Sequence, residues 1–302
     1  MKVTIIGAGR VGSTTAFCLM ERGLAQNICL VDVAGERARG EGLDLMHCSS
    51  SLARNVSVSG SDDYAIAKGS DIVVITAGIP RKPGDTRLDL LKKNTGIMKD
   101  ITGELAQHCE DPILLVVSNP VDVMTYVAYK TSKLDHKRVF GLGTMLDTLR
   151  FRSLMVEKLN LPPQDVSTLM LGEHGDSMFP VYSQTFIRQK TVEESGILGR
   201  EDFYGIADYV RESAAEVIKL KGATYYAPAV AVCEVVDSVV GDKKRILPVS
   251  VYSQEHDIYV STLAKVGAFG VQYVDTRFND EERESFAKSV GVLKNACAQT
   301  GV

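Results

Sequence analysis

KVTIIGAGRVG, residues 2–12, sets the reading of the whole chain. Val3 to Ile6 are apolar or β-branched at every position, as a strand buried on both faces requires, and an apolar helical pattern follows the glycines. A lone GxGxxG is weak evidence, but a strand before it and a helix after it give it a mechanism. Gly7 permits the tight turn, Gly9 lets a pyrophosphate approach the backbone, and Gly12 lets helix and strand pack closely. The free N–H groups of the turn, with the helix dipole behind them, face the phosphates, and Ala8, Arg10 and Val11 join the three glycines as expected cofactor-binding residues. Asp32 closes the run ICLVD twenty residues beyond Gly12. A carboxylate there accepts hydrogen bonds from a ribose and repels a 2′-phosphate, and Val33-Ala34-Gly35 offers no cation to receive one, so the turn predicts NAD.

Outward from this turn, short β-branched runs alternate with helical patterns. Residues 2–7, 28–33, 56–59, 72–77, 113–118 and 139–142 predict six parallel strands, hence an α/β, doubly wound (Rossmann) parallel sheet over residues 1–142. An α+β substrate domain is expected over 143–302. It comprises a helix at 147–159, a strand at 166–171, helices near 202–221 and 227–240, short strands at 248–252 and 258–261, and a polar helix from about Asp280. A length of 302 residues suits two closely packed lobes with a cleft between them.

Composition excludes several function classes. A net charge of -4 with 45% hydrophobic residues argues against a nucleic-acid surface, which needs a basic stripe. Six scattered cysteines without a CxxC pair read as free thiols, with no metal site and a reducing cytoplasm as the natural compartment. The N-terminus predicts no signal peptide, and no apolar run approaches the ~18 residues a membrane span needs.

Four more segments carry chemistry: TAGIPRKPGDTR (76–87), VVSNPVD (116–122), LGTMLDTLRFRSL (142–154) and LGEHGDSMFP (171–180). Each has an ordinary explanation when taken alone. Arg81, Lys82 and Arg87 could be a solvated loop, Asn119-Pro120 a turn, Asp147 a helix N-cap, and Asp147 with Arg150 a surface ion pair. His174 differs from the other four histidines in lying in a glycine-flanked polar segment after an apolar strand.

Together with GAGRVG, and in this order and spacing, these segments closely resemble the lactate/malate dehydrogenase family of NAD-dependent 2-hydroxy acid dehydrogenases over essentially the whole chain. The resemblance implies that His174 is the proton donor and acceptor, oriented by Asp147, and that Arg150 grips the substrate carboxylate as a planar fork. It implies that Arg87 polarises the reacting carbonyl and that Asn119 contacts substrate, while the Val117, Ser118 and Asn119 backbone lines the nicotinamide. Asn94 and Thr224 match positions near cofactor and substrate. The 80s loop, folded back at Pro83-Gly84, matches the lid that closes over substrate, with Lys82 left to solvent.

In that family the position of Arg81 carries glutamine in enzymes reducing pyruvate and arginine in those reducing oxaloacetate. Arg81 therefore implies a dicarboxylate, malate or oxaloacetate, as the small-molecule partner. KGATYY and GEHGDS look more like the lactate enzymes, so lactate stays open as an alternative. A non-catalytic NAD-binding redox sensor and a purely structural oligomer also stay open as different classes. SVYSQEHDIYVSTLAKVG departs from the family pattern by lacking its longer glycine-bearing turn. The resemblance implies a homodimer or homotetramer.

Overall fold

In the computed structural model, which describes residues 1–52, 55–79 and 87–302 apart from the Arg87 side chain, the chain winds first through β1 (Lys2–Ile6), α1 (Arg10–Arg22), β2 (Asn27–Val31), α2 (Gly35–Ser49), β3 (Ser57–Ser61) and β4 (Ile72–Ile75). It continues through α3 (Arg87–His108), β5 (Ile113–Val116), α4 (Val121–Ser132), β6 (Val139–Gly141) and α5 (Met145–Leu159). Short strands β7 (Val166–Ser167), β8 (Met170–Leu171), β9 (Phe179–Pro180), β10 (Phe186–Ile187) and β11 (Lys190–Thr191) precede α6 (Val192–Ser195), α7 (Arg200–Lys221) and α8 (Tyr226–Val240). The chain closes with β12 (Arg245–Ser253), β13 (Ile258–Gly267), β14 (Gly270–Tyr273) and α9 (Asp280–Ala298).

Strands β6-β5-β4-β1-β2-β3 lie side by side and parallel, the order of a doubly wound sheet whose crossovers place helices on both faces. The alternation of a strand then divides its residues between two cores. Val3, Ile5, Ile28, Leu30 and Leu115 pack toward α1 and the apolar α8. Ile6, Val31, Ile75, Leu114 and Val116 pack toward α3, α4 and α9. A separate core around Phe151, Met155, Phe203 and Val210 seats α5 against α7.

The sheet does not stop at residue 142. β12, β13 and β14 add to it antiparallel, giving nine strands in all, and the join to β6 is the pair Ser250 and Gly141. The closing strands are longer than expected, at 9 and 10 residues, because Gln254–Asp257 makes a tight turn that keeps β12 and β13 paired along their length. The strand expected at 166–171 is instead two, since β7 pairs with β10 while β8 pairs with β9. α5 starts at Met145 with Thr144 at its cap, so Asp147 lies inside the first turn and is not an N-cap.

Candidate active site

The carboxyl ends of the parallel strands meet the second half of the chain at a cleft of about 320 Å³. Gly7 ends β1 at φ +105°, and a Cβ there would lie 2.8 Å from Thr76 Oγ1 and 2.9 Å from the Ala77 nitrogen. A Cβ on Gly12 would fall 1.8 Å from the Gly7 carbonyl oxygen, which is the close helix–strand contact the spacing implies. Gly9 is different, because a Cβ there would meet nothing within 4 Å. Its bareness does not serve the protein's own packing, and it leaves a cradle that suits a pyrophosphate on backbone N–H groups at the start of α1. Gly9→Ala is therefore expected to fold with an unchanged Tm but bind NADH more weakly. Gly12→Ala should lose stability by about 1 to 3 kcal/mol through overpacking, and thermal melts beside NADH titrations separate the two effects.

Asp32 stands at the end of β2, where Oδ2 accepts the Ala8 N–H at 2.7 Å and Oδ1 accepts the Ala34 N–H at 2.9 Å. The carboxylate thus ties the glycine turn to the next strand while each oxygen keeps a lone pair for a ribose hydroxyl. Two other residues expected near the cofactor spend their side chains on the backbone. Buried Asn94 donates to the Asn119 carbonyl at 2.8 Å and accepts the Ile79 N–H at 2.9 Å, so it fixes the loop after β5 from behind. Ser118 Oγ donates to the Ala77 carbonyl at 2.5 Å.

The chemistry gathers around α5. Its first two turns offer Asp147 and Arg150 on one face, 3.2 Å apart at Oδ1 and Nη1. Thr148 reaches the other way and accepts the Met170 N–H at 3.0 Å, docking β8 on the helix. The chain then needs only Gly172 and Glu173 to bring His174 back over Asp147, with Nδ1 2.5 Å from Oδ2. Asp147 is 2% exposed, Arg150 14% and His174 22%, so the imidazole is the open end of the relay.

Charge follows geometry here. Burial works against the His174 proton, yet the Asp147 charge and hydrogen bond, helped by Asp122, outweigh it and hold the imidazole above its ordinary pKa. Burial likewise opposes ionisation of Asp147, and His174 and Arg150 together hold that carboxyl below its ordinary range. A buried carboxylate that keeps an imidazole charged and oriented is what a proton donor needs.

The cleft brings together Val11, Asn119, Asp147, Arg150, His174 and Thr224, with Val117 beside them. Arg81, Lys82 and Pro83-Gly84 lie outside the described residues, as does the side chain of Arg87. Two residues of this region carried no signal that singled them out in the sequence. Arg211 lines the cleft from α7, where it reads as an ordinary helix-surface cation. Asp122, which accepts the His174 N–H at 2.8 Å, sits in the quoted VVSNPVD but reads there as a first-turn acid of α4.

The family model described as lactate/malate dehydrogenase, NAD binding domain, matches residues 1–141, and that described as lactate/malate dehydrogenase, alpha/beta C-terminal domain, matches residues 144–301. The chain belongs to the lactate/malate dehydrogenase family. The L-lactate dehydrogenase 1 of Clostridium acetobutylicum is 42% identical over 98% of this chain and 97% of its own. The malate dehydrogenase of Chlorobium limicola is 38% identical, with the same coverage of 98% and 97%. Malate dehydrogenase from Archaeoglobus fulgidus, solved in complex with NADH, superposes with a TM-score of 0.92 at 38% identity and covers all of both chains. This lactate/malate dehydrogenase family member is thus an oxidoreductase that uses NAD, and its glycine turn and Asp32 fit that cofactor. Overall likeness does not choose between the two acids, so the choice rests on individual side chains.

Proposed function

We propose that the chain is an NAD-dependent malate dehydrogenase that interconverts (S)-malate and oxaloacetate, with His174, Asp147, Arg150, Arg87, Arg81, Asn119 and Thr224 as its working residues. The observation that carries the choice of acid is Arg81 in TAGIPRKPGDTR. Two arginines among the described residues line the cleft, Arg150 and Arg211. Arg211 donates to the Met178 carbonyl at 2.7 Å and pairs with Asp208, while its buried Nε–H has no protein partner among the described residues. The family match gives Arg150 one carboxylate and Arg81, from the 80s segment, the other.

Bound NADH supplies the hydride, and the protein does the rest. Arg150 holds the carboxylate next to the carbonyl as a bidentate fork, and Arg81 takes the distal one. Arg87 polarises the ketone, while Asn119, presented where β5 ends, fixes the substrate's tilt. Protonated His174 gives its Nε2 proton to the new hydroxyl oxygen, and Asp147 stabilises the imidazolium until then. In malate oxidation the neutral imidazole takes the proton back.

The likeness of KGATYY to lactate enzymes keeps L-lactate as the second reading. A non-catalytic NAD sensor would have no use for the buried Asp147, Arg150 and His174 arrangement. NADH oxidation measured with oxaloacetate and with pyruvate separates these readings. The expected result is turnover of oxaloacetate at a kcat/KM at least about a hundredfold higher, since an unpaired Arg81 penalises pyruvate. Preference for pyruvate would establish the lactate reading, and no turnover of either would favour the sensor.

The domain boundary at residue 142, the cytoplasm and a homodimer or homotetramer belong to the same proposal. Phe17, Leu43 and Leu220 are large apolar side chains left exposed, which supports association, and all six cysteines are free thiols. Among the described residues, no helix is long and apolar enough to cross a membrane.

A further inference from the structure

We infer that Asp122 is a positioning residue for the reaction: its buried carboxylate joins the backbone of His174 to the start of the helix that carries Asp147 and Arg150, and places a second negative charge beside the imidazole. Asp122 lies in the first turn of α4 and is 3% exposed. Its Oδ2 accepts the His174 N–H at 2.8 Å, and its Oδ1 accepts the Ser261 hydroxyl at 3.1 Å.

Ser261 is the hub of this junction. Its Oγ accepts the N–H of Thr144, the cap residue of α5, at 3.2 Å, which leaves the hydroxyl proton for Asp122. Its backbone exchanges hydrogen bonds with Gly172 at 2.9 and 3.1 Å. A side chain on Gly143 would place Cβ 2.5 Å from Ser261 Oγ, so the approach to α5 is bare of side chain where it meets the hub. Two independent routes therefore fix His174 to α5. One is the direct contact with Asp147, and the other runs through Asp122 and Ser261 to Thr144.

The charge matters as well as the hydrogen bonds. The titratable groups acting on Asp122 are Glu173 and His174 from their own segment, with Cys297 of α9 in range of its charge, while Asp147 and Arg150 from α5 act on the same imidazole. Burial pushes the Asp122 carboxyl up to about 6, against the pull of the nearby Ser250 hydroxyl and then of the His174 N–H and imidazole. Above that pH it is ionised, favours the charged imidazole, and so extends the range in which His174 can donate a proton. Removing the charge lowers the His174 pKa, which moves the alkaline fall in keto-acid reduction to lower pH.

This inference rests on the reading of His174 as the acid and base, and the experiment distinguishes the two. Reduction rates would be measured across the imidazole range for wild type, Asp122→Asn, Asp122→Ala, Ser261→Ala and His174→Gln, with NADH affinity read by fluorescence. Asp122→Asn keeps an acceptor for the His174 N–H but not the charge. It should retain most of kcat and move the alkaline limb of kcat/KM down by about half a pH unit or more. Asp122→Ala should lower kcat by about tenfold to a hundredfold through misplacement of the imidazole, with NADH affinity within about twofold of wild type. Ser261→Ala should give a smaller loss with the limb in place, because the carboxylate stays.

An unmoved limb in Asp122→Asn, where His174→Gln abolishes turnover, overturns the role of Asp122 alone. A wild-type kcat in Asp122→Ala does the same. If His174→Gln turns over with the limb intact, the reading of His174 fails and takes this inference with it. Should Asp122→Ala not fold, the near-isosteric Asp122→Asn and the Ser261→Ala variant still decide the matter.

Discussion

Replacing Arg81 with glutamine is expected to reverse the preference between oxaloacetate and pyruvate. The distal carboxylate of oxaloacetate would enter a closed site with no cation to meet it, and leaving a buried charge unpaired costs on the order of 3 to 5 kcal/mol, roughly two to three decades or more in kcat/KM. Pyruvate gains by the same reasoning, since in wild type it leaves Arg81 unpaired and in the variant it does not. On the proposed assignment Arg150 is occupied by the carboxylate beside the carbonyl, and Arg211 already donates to the Met178 carbonyl and pairs with Asp208. Lys82→Gln is the control for net loop charge and should leave the ratio where it was. The measurement is the ratio of kcat/KM for the two keto acids, and an unchanged ratio in Arg81→Gln would sink the assignment of the acid.

What was legible in the sequence follows from how local its physical cause is. The glycine turn was legible because its reasons act within a few residues or one strand away: Gly12 must clear the Gly7 carbonyl, and Gly7 must take a positive φ. The Asp147–Arg150 contact was legible because three residues on a helix always share a face. His174 against Asp147 spans 27 residues and came only through resemblance to a family, since nothing in either segment names the other. Asp122 was not legible at all. Its partners lie 52 and 139 residues away, at His174 and Ser261, and an acid in the first turn of a helix has a sufficient local explanation.

The same limit applied to the sheet. Five of the six parallel strands announce themselves as apolar runs, β3 (SVSGS) being the exception, whereas β14 is four residues with an exposed end, GVQY, and is a strand only because β13 lies beside it. Nor does an apolar run reveal which neighbour it will pair with, which is why 166–171 reads as one strand and is two. Asn94 shows the limit from the other side. Its position near the cofactor segment was readable, but not that its amide serves the Ile79 and Asn119 backbone.

Replacing His174 with asparagine is expected to lower kcat by about a thousandfold, the middle of the range for a lost general acid and roughly 4 kcal/mol of transition-state stabilisation, while NADH affinity stays near wild type. The pH dependence is the sharper test. With His174 as acid and base, wild-type reduction should hold until pH passes the raised pKa of His174, whereas oxidation of the hydroxy acid, which would use the neutral ring, should rise over the same interval. Both trends should vanish in the variant.

Stability follows the same linkage. The raised pKa of His174 contributes stability that is complete below the ordinary value of 6.5 and is lost as pH climbs through the folded-state pKa. The lowered pKa of Asp147 contributes stability present above the ordinary 3.8 and lost as pH falls through the folded-state value. The Tm difference between wild type and His174→Asn should therefore be greatest between those two ordinary values and shrink toward alkaline pH. A variant that turns over near the wild-type rate, or keeps the wild-type pH profile, would remove His174 from the proton path and leave the short contact with Asp147 as a structural one.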